Sequence, residues 1–181
     1  MTCRKSIPTA TFRRAHTNKT VILGIDPGSR RTGYGVLELE GGQPSYLASG
    51  CINVAKLSMP ERLAAIYNGV CEVIATYQPA TLAIEEVFVS KNARSALILG
   101  QARGVAIAAG VQHDLSVSEY AARQVKLAVV GTGRASKEQI QHMVQVILNL
   151  SGQPQEDAAD ALAIALCHVN TAPNLTHRYP S

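Results

Sequence analysis

Three strand-length segments follow one another near the start of the sequence, with only short turns between them. Val21–Ile25 is an apolar run that ends at the turn sequence Asp26-Pro27-Gly28. Thr32–Glu40 is the second segment, and Gly41-Gly42 separates it from the third, Ser45–Val54. Strands joined by short turns pair antiparallel, because a parallel pair needs a crossover of a dozen or more residues. This region therefore predicts a three-stranded antiparallel meander.

After the meander, helical and strand patterns alternate. Apolar residues recur at helical spacing from Met59 to Tyr77, and Thr81–Glu85 is again a short apolar strand. Ser136 and Gln139 form a capping box, which fixes the start of a later helix. The remaining segments are a helix at Asn92–Gly110, a strand at Leu115–Tyr120, and helices at Ala121–Val130, Ser136–Leu150 and Pro154–Val169. This order predicts one α/β domain, a mixed five-stranded sheet flanked by helices.

The net charge of +4 is unevenly distributed along the 181 residues. Residues 1–19 contain five basic side chains and no acidic one, whereas the other 162 residues carry twelve basic and thirteen acidic groups. Residues 1–19 lack periodicity and predict a disordered basic extension; a transit peptide and an overlong gene start are the alternatives. We expect a folded domain at 20–170 and a flexible tail at 171–181. Nucleic-acid binding by this domain would need a local basic surface.

Composition excludes several classes of protein. With 46% hydrophobic and 17% charged residues, the chain is not intrinsically disordered. No apolar run reaches the roughly 18 residues of a transmembrane helix. The four cysteines form no CxxC pair, which argues against a zinc site and a disulfide framework. Such cysteine usage fits a reducing compartment and predicts a cytoplasmic protein without membrane partners.

Four carboxylates stand where an apolar environment is expected. Asp26 and Glu85 end two buried strands, at the edge where α/β sheets build their sites. Asp157 and Asp160 share one face of an apolar helix. The alternatives are a turn residue at Asp26, a solvated strand end at Glu85 and a helix-dipole complement at Asp157. Converging carboxylates would repel unless a cation intervened, and oxygen ligands without a His or Cys cluster favour Mg²⁺ or Mn²⁺.

Several motifs, in order along residues 20–170, make the sequence similar to a known family. The matching stretches are Ile22-Leu23-Gly24-Ile25-Asp26-Pro27-Gly28-Ser29-Arg30, Thr32-Gly33-Tyr34-Gly35, Ala83-Ile84-Glu85 with Val87-Phe88, Leu99-Gly100-Gln101-Ala102-Arg103-Gly104-Val105-Ala106, Glu119-Tyr120-Ala121-Ala122-Arg123-Gln124-Val125-Lys126, Gln141-His142-Met143-Val144 and Asp157-Ala158-Ala159-Asp160-Ala161-Leu162-Ala163-Ile164-Ala165. With these stretches the sequence resembles the RuvC family of bacterial Holliday junction resolvases, within the RNase H-like superfamily.

The resemblance implies a function and a site. It implies an RNase H-like sheet and a homodimer that makes two symmetric nicks in a four-way DNA junction during recombination and repair. It implies that two Mg²⁺ ions, replaceable by Mn²⁺, are held by four catalytic acids, and that the RuvA–RuvB branch-migration complex is a partner. Those acids are Asp26, Glu85, Asp157 and Asp160. Glu86 is adjacent to Glu85, but strand alternation points the two to opposite faces, and motif position selects Glu85.

Further residues are candidates for contacts with DNA or with a second subunit. Phe88 is expected to stack on an unpaired base, the alternative being a core phenylalanine. The other candidate DNA contacts, for which solvated surface residues are the alternative, are Lys91, Asn92, Arg94, Lys126 and Lys137. Small residues recur at four-residue spacing along one helix and predict either close packing on the sheet or a dimer contact; they are Ala96, Gly100, Gly104 and Ala108.

Three other functions compete with a junction endonuclease. The first is a YqgF-type nuclease acting on ribosomal RNA precursors. The second is a phosphotransferase of the actin and sugar-kinase type, for whose two-lobed architecture the chain is too short. The third is a junction-binding protein without cleavage, against which the retention of all four acids argues.

Overall fold

The computed structural model describes residues 19–86 and 93–172, and all structural statements concern these two ranges. They form five strands and five helices: β1 Lys19–Asp26, β2 Arg31–Glu40, β3 Gln43–Asn53, α1 Met59–Tyr77, β4 Thr81–Glu85, α2 Ala93–Gln112, β5 Ser116–Tyr120, α3 Ala122–Val130, α4 Lys137–Ile147 and α5 Glu156–Thr171. None of these helices is both long and apolar enough to cross a membrane.

The five strands form one mixed sheet in the order β3-β2-β1-β4-β5. β1 pairs antiparallel with β2, and β2 pairs antiparallel with β3. β4 lies parallel to β1 on its other side, and β5 lies parallel to β4. The predicted α/β fold, with its antiparallel meander followed by parallel strands, is thereby confirmed.

Both faces of the sheet are covered by helices, which explains why β1 and β4 are apolar throughout. On one face, α3, α4 and α5 pack over a core that includes Ile22, Leu37 and Ala83. On the other face, α1 and α2 enclose a core that includes Leu23 and Leu82. Neighbouring residues of one strand thus enter opposite cores, as the alternation of side chains in a strand requires.

Helix α5 lies unusually close to the sheet because three strand residues beneath it are glycines. A Cβ atom on Gly24 would lie 2.1 Å from the carbonyl oxygen of Ala161, and one on Gly33 would lie 2.0 Å from that of Asp157. A Cβ on Gly35 would lie 2.7 Å from the amide nitrogen of Leu162. Glycine within a strand permits such a close backbone approach. The position of α5 therefore depends on the absence of these three side chains.

Several predicted boundaries shift in the structure. Lys19 belongs to β1, and its ammonium group lies 3.0 Å from Glu38 and 3.3 Å from Glu40 on the neighbouring strand. The predicted N-terminal extension 1–19 is therefore wrong at its last residue, which pairs with β2. Thr171, the first residue of the predicted tail 171–181, still belongs to α5. The Ser136 cap is confirmed, because its hydroxyl accepts a hydrogen bond from the amide of Gln139.

The buried histidine of α5 predicts how the stability of the fold depends on pH. His168 Nδ1 lies 2.8 Å from the Tyr120 hydroxyl, and burial lowers the pKa of His168 below its usual 6.5. His168 thus binds a proton less readily in the folded state than in the unfolded state. This contribution to stability is full above about pH 6.5 and is lost as the pH falls below that value.

We expect His168→Asn, which keeps an acceptor near Tyr120, to lose less stability than wild type between pH 7.5 and pH 5.5. Thermal unfolding at the two pH values measures this difference. In a domain of this size, about 1 kcal/mol corresponds to about 2–4 °C in the melting temperature. Equal losses in the two proteins would show that His168 does not contribute to acid sensitivity.

Candidate active site

Two of the four predicted acids lie side by side at one edge of the sheet. Asp26 is the last residue of β1, and Glu85 is the last residue of β4. These strands are parallel neighbours, with Ile25 opposite Ile84, so their carboxyl ends meet at the same edge. Both acids are partly buried, and their carboxyl groups lie close enough to interact. The alternatives from the sequence were an exposed turn residue at Asp26 and a solvated strand end at Glu85. Neither fits two partly buried, adjacent carboxyls.

The other two acids reach this edge from α5. Asp157 and Asp160 lie in its first two turns, and both are partly buried. The close contact between the Asp157 carbonyl and Gly33 fixes where this end of the helix lies on the sheet. Gly33 pairs directly with Asp26 across β1 and β2. The structure therefore brings together all four acids that the sequence predicts.

Burial and nearby negative charge raise the pKa of three of these carboxyls: Asp26, Glu85 and Asp160. Burial, followed by the negative charges of Glu85, Asp160 and Asp157, raises the pKa of Asp26 to about 8. Burial and the charge of Asp160 also raise the pKa of Glu85, although its side-chain interaction with Asp26 partly offsets this. Burial raises the pKa of Asp160, against the opposing effect of Lys137. A cation placed among these groups would relieve the repulsion.

Two basic side chains pair with the acids of α5. Arg31, at the start of β2, has Nη1 3.6 Å from Asp157 Oδ2. Lys137, at the start of α4, has Nζ 3.7 Å from Asp160 Oδ2 and also pairs with Glu156. One cation thus lies on each side of the acids. The sequence predicted Lys137 as a DNA contact and missed Arg31.

Asp26 and Glu85 form a ridge between two cavities. One cavity, of about 560 Å³, contains Arg30, Arg31 and Asp157, and we call it the arginine cavity. The second, of about 300 Å³, is lined by Lys126, Lys137 and Asp160 among others, and we call it the lysine cavity. Each cavity combines carboxylates of the ridge with two basic residues. Such a combination suits a phosphate group together with a cation.

The structure distinguishes between the two adjacent glutamates. Glu86 is exposed, lines neither cavity, and donates its amide hydrogen to the Tyr120 carbonyl at 2.9 Å. The backbone of Glu85 is held from α2 by Arg103, whose Nε donates to the Glu85 carbonyl at 3.1 Å. Arg103 also pairs with Glu119 on β5. Arg103 therefore fixes the end of β4, a role that the sequence did not reveal because the partner is a backbone carbonyl.

The remaining predicted contacts have different positions. Lys126 lines the lysine cavity from α3, whereas Arg94 is exposed in the first turn of α2. Phe88, Lys91 and Asn92 lie outside the described residues, so their roles stay predictions. Within 19–86 and 93–172, no set of three or more His, Cys, Asp or Glu side chains is already arranged to hold a metal ion.

Comparisons with known proteins agree with this architecture. A family model described as crossover junction endodeoxyribonuclease RuvC matches residues 22–168. A curated relative of that description from Photobacterium profundum is 63% identical over 152 residues, covering 84% of this chain and 88% of its own. A relative of the same description from Vibrio cholerae is 61% identical with the same coverage.

Solved structures give the same result. The chain matches Thermus thermophilus RuvC at 35% identity with a TM-score of 0.74, covering 82% of this chain and 93% of that one. T. thermophilus RuvC in complex with a Holliday junction substrate matches at 34% identity with a TM-score of 0.77, covering 83% and 93%. The yeast mitochondrial resolvase Ydc2, at 10% identity and a TM-score of 0.58, shares the fold.

Sheet topology, acid ridge and structural matches together define a nuclease domain of the RNase H-like class. Within that class, the chain belongs to the RuvC family of crossover junction endodeoxyribonucleases. Nucleases of this family hydrolyse phosphodiester bonds and depend on a metal ion.

Proposed function

We propose that this protein resolves four-way DNA junctions by paired, symmetric nicks, using divalent metal ions held by the four acids. The observation that carries the proposal is the ridge of Asp26 and Glu85 between two cavities that each contain basic side chains. Family membership and the match to a relative in complex with a Holliday junction substrate support the choice of DNA. A competing function is cleavage of ribosomal RNA precursors. A cleavage assay with a ribosomal RNA precursor in place of the DNA junction tests it.

The donor set fits a hard divalent cation. All four side chains supply carboxylate oxygens, which Mg²⁺ and Mn²⁺ prefer. Burial and neighbouring negative charge raise the pKa values of Asp26, Glu85 and Asp160. A cation bound among these carboxyls would stabilise their charged forms. We propose two Mg²⁺ ions per site, replaceable by Mn²⁺; bound there, they would activate water and stabilise charge on the phosphate. Asp26, Glu85, Asp157 and Asp160 would hold them.

The basic side chains of the cavities position the DNA backbone in this proposal. Lys126 and Lys137 would contact phosphates on one side of the ridge, and Arg31 would do so on the other. Each charge pairs with phosphate without reading the base sequence. Arg94, Lys91 and Asn92 would extend this surface, and Phe88 would stack on an unpaired base at the crossover.

The exposed face of α2 supports a homodimer. Gly100 and Gly104 are exposed, and nothing lies within 4 Å of where a Cβ atom would stand on either residue. Close packing of these residues on their own sheet, the alternative suggested by the sequence, is therefore wrong. Leu97 and Val111 on the same helix are 70% and 58% exposed. Two-fold symmetry of the protein would match two-fold symmetry of the junction.

The cellular setting belongs to the proposal as well. We propose that the protein acts in the cytoplasm and works with the RuvA–RuvB branch-migration complex. The described residues Cys51, Cys71 and Cys167 carry free thiols, which suit a reducing compartment.

Asp26→Asn should abolish cleavage of a synthetic four-way junction while leaving junction binding intact or tighter. The change removes a metal ligand, which is worth several kcal/mol to the transition state, or about 100-fold or more in rate. Whenever Asp26 is ionised, the change also lowers the negative charge that faces phosphate, which leaves DNA binding intact or makes it tighter. Cleavage rates and gel-shift affinities on a junction and a matched duplex, with and without Mg²⁺, measure both effects.

Glu86→Gln is the matched control, because it neutralises a nearby carboxylate that lines neither cavity. We expect it to cut at close to the wild-type rate. Normal cleavage by Asp26→Asn would rule out the metal-ligand role, and a Glu86→Gln variant as slow as Glu85→Gln would mean that the wrong glutamate was chosen.

Gly104→Leu should convert the dimer to a monomer that remains folded. The leucine has space in the single subunit, and leucine is a strong helix former, whereas glycine is about 0.8–1 kcal/mol less favourable than alanine in a helix. Sedimentation at micromolar concentration measures the change, with Gly152→Leu, also in open space, as control. A wild-type monomer that makes paired nicks, or a Gly104→Leu variant that stays dimeric, would contradict this interface.

A further inference from the structure

One arginine joins the two loops that wall the arginine cavity. Arg62 lies in the first turn of α1, and its guanidinium donates three hydrogen bonds to backbone carbonyls. Nη1 donates to Ser29 at 2.9 Å, Nη2 to Ala55 at 3.1 Å and Nε to Leu57 at 2.8 Å. All three bonds involve a charged donor, which makes them stronger than bonds between neutral groups. Three acceptors at fixed angles suit the planar fork of a guanidinium.

The accepting carbonyls belong to the walls of the cavity beside the acids. Ser29 lies in the loop that begins immediately after Asp26, and Ala55 lies in the loop between β3 and α1. Both residues line the arginine cavity together with Asp26. A backbone hydrogen bond from the Val54 amide to the Arg30 carbonyl, at 3.0 Å, joins the same two loops. The guanidinium and this bond together set the width of the cavity.

The loop after Asp26 is too compact to adjust by itself. A Cβ atom on Gly28 would lie 2.0 Å from the carbonyl oxygen of Arg31, so the loop turns back on itself within four residues. A shift of the Ser29 carbonyl would therefore move Arg31 at the far end of the loop, and Asp26 at its near end. Since Arg31 faces Asp157 at 3.6 Å, the loop carries groups on two sides of the acid cluster.

Arg62 itself stands on a rigid support. Helix α1 buries Ile66, Val70, Val73 and Ile74, and this packing holds its first turn in place; Glu61 also accepts hydrogen bonds from Ser58 there. In the described residues, no carboxylate lies within ion-pair distance of Arg62. Its hydrogen-bond partners are the loop carbonyls, and its side chain is only partly buried. A side chain that holds catalytic residues in a reactive geometry is itself fixed by packing and hydrogen bonds, as Arg62 is.

We propose that Arg62 is a positioning residue for DNA cleavage: it holds the loop that carries Asp26 and Arg31 in the arrangement that the scissile phosphate requires. The inference rests on the proposed junction cleavage. Arg62 acts through the loop, so its loss should affect the rate of the chemical step more than DNA affinity. A displacement of reacting groups by about 1 Å can cost about 100-fold in rate.

The test compares wild type with Arg62→Lys and Glu61→Ala as full-length proteins. Lysine keeps the charge but cannot bridge three carbonyls in one plane. Glu61→Ala weakens the same turn of α1 through its cap and leaves the loop after Asp26 untouched. Three quantities are measured for each protein. They are the melting temperature, the single-turnover cleavage rate at saturating Mg²⁺, and the junction affinity in Ca²⁺, under conditions checked for absence of cleavage.

We expect Arg62→Lys to cut about tenfold to 100-fold more slowly, with a junction Kd within about twofold of wild type, and Glu61→Ala to cut at the wild-type rate. Arg62→Gln gives the same comparison if lysine is not tolerated. A wild-type rate in Arg62→Lys, or rate losses that follow the melting temperature equally in both variants, would overturn the positioning role. Wild type that does not cut junctions would instead refute the proposed function.

Discussion

The structure depends on how closely α5 approaches the sheet. Three strand glycines, Gly24, Gly33 and Gly35, leave no side chain between β1, β2 and the helix backbone. Ala161 and Ala165 of α5 lie over Gly24, and Leu162 lies over Gly35, so the helix backbone is almost in contact with the strands. Eleven of its residues are buried, so the helix is the centre of one core as well as the carrier of two acids. A helix at the usual distance from the sheet would leave Asp157 and Asp160 further from Asp26.

The same arrangement concentrates negative charge in a place that disfavours it. Asp26 and Glu85 end adjacent parallel strands, where burial and nearby negative charge raise the pKa of both carboxyls: that of Glu85 and the acids of α5 for Asp26, and that of Asp160 for Glu85. Lys137 and Arg31 partly balance the acids of α5 from opposite sides. Repulsion among the acids remains, and a divalent ion bound there, as we propose, would relieve it.

The sequence predicted a mixed sheet that begins with an antiparallel meander, the helices, and the four acids that the structure brings to one edge, because each depends on local periodicity, turn residues or motif position. It could not predict the depth at which α5 packs, although glycines inside β1 and β2 were a usable signal. Arg62 and Arg103 were missed because their partners are backbone carbonyls, which carry no mark in the sequence. Lys19 was assigned to a disordered extension because its ion pairs lie on a neighbouring strand.

The most direct test of this account is the single-turnover rate of junction cleavage by Gly33→Ala, measured where the variant is folded. The added methyl group would lie 2.0 Å from the Asp157 carbonyl, so α5 must move by about 1 Å or more. We predict a rate about 100-fold below wild type, with an unchanged rate for Gly152→Ala, where nothing lies within 4 Å. A Gly33→Ala variant that cuts as fast as wild type would show that the close contact of α5 does not set the catalytic geometry.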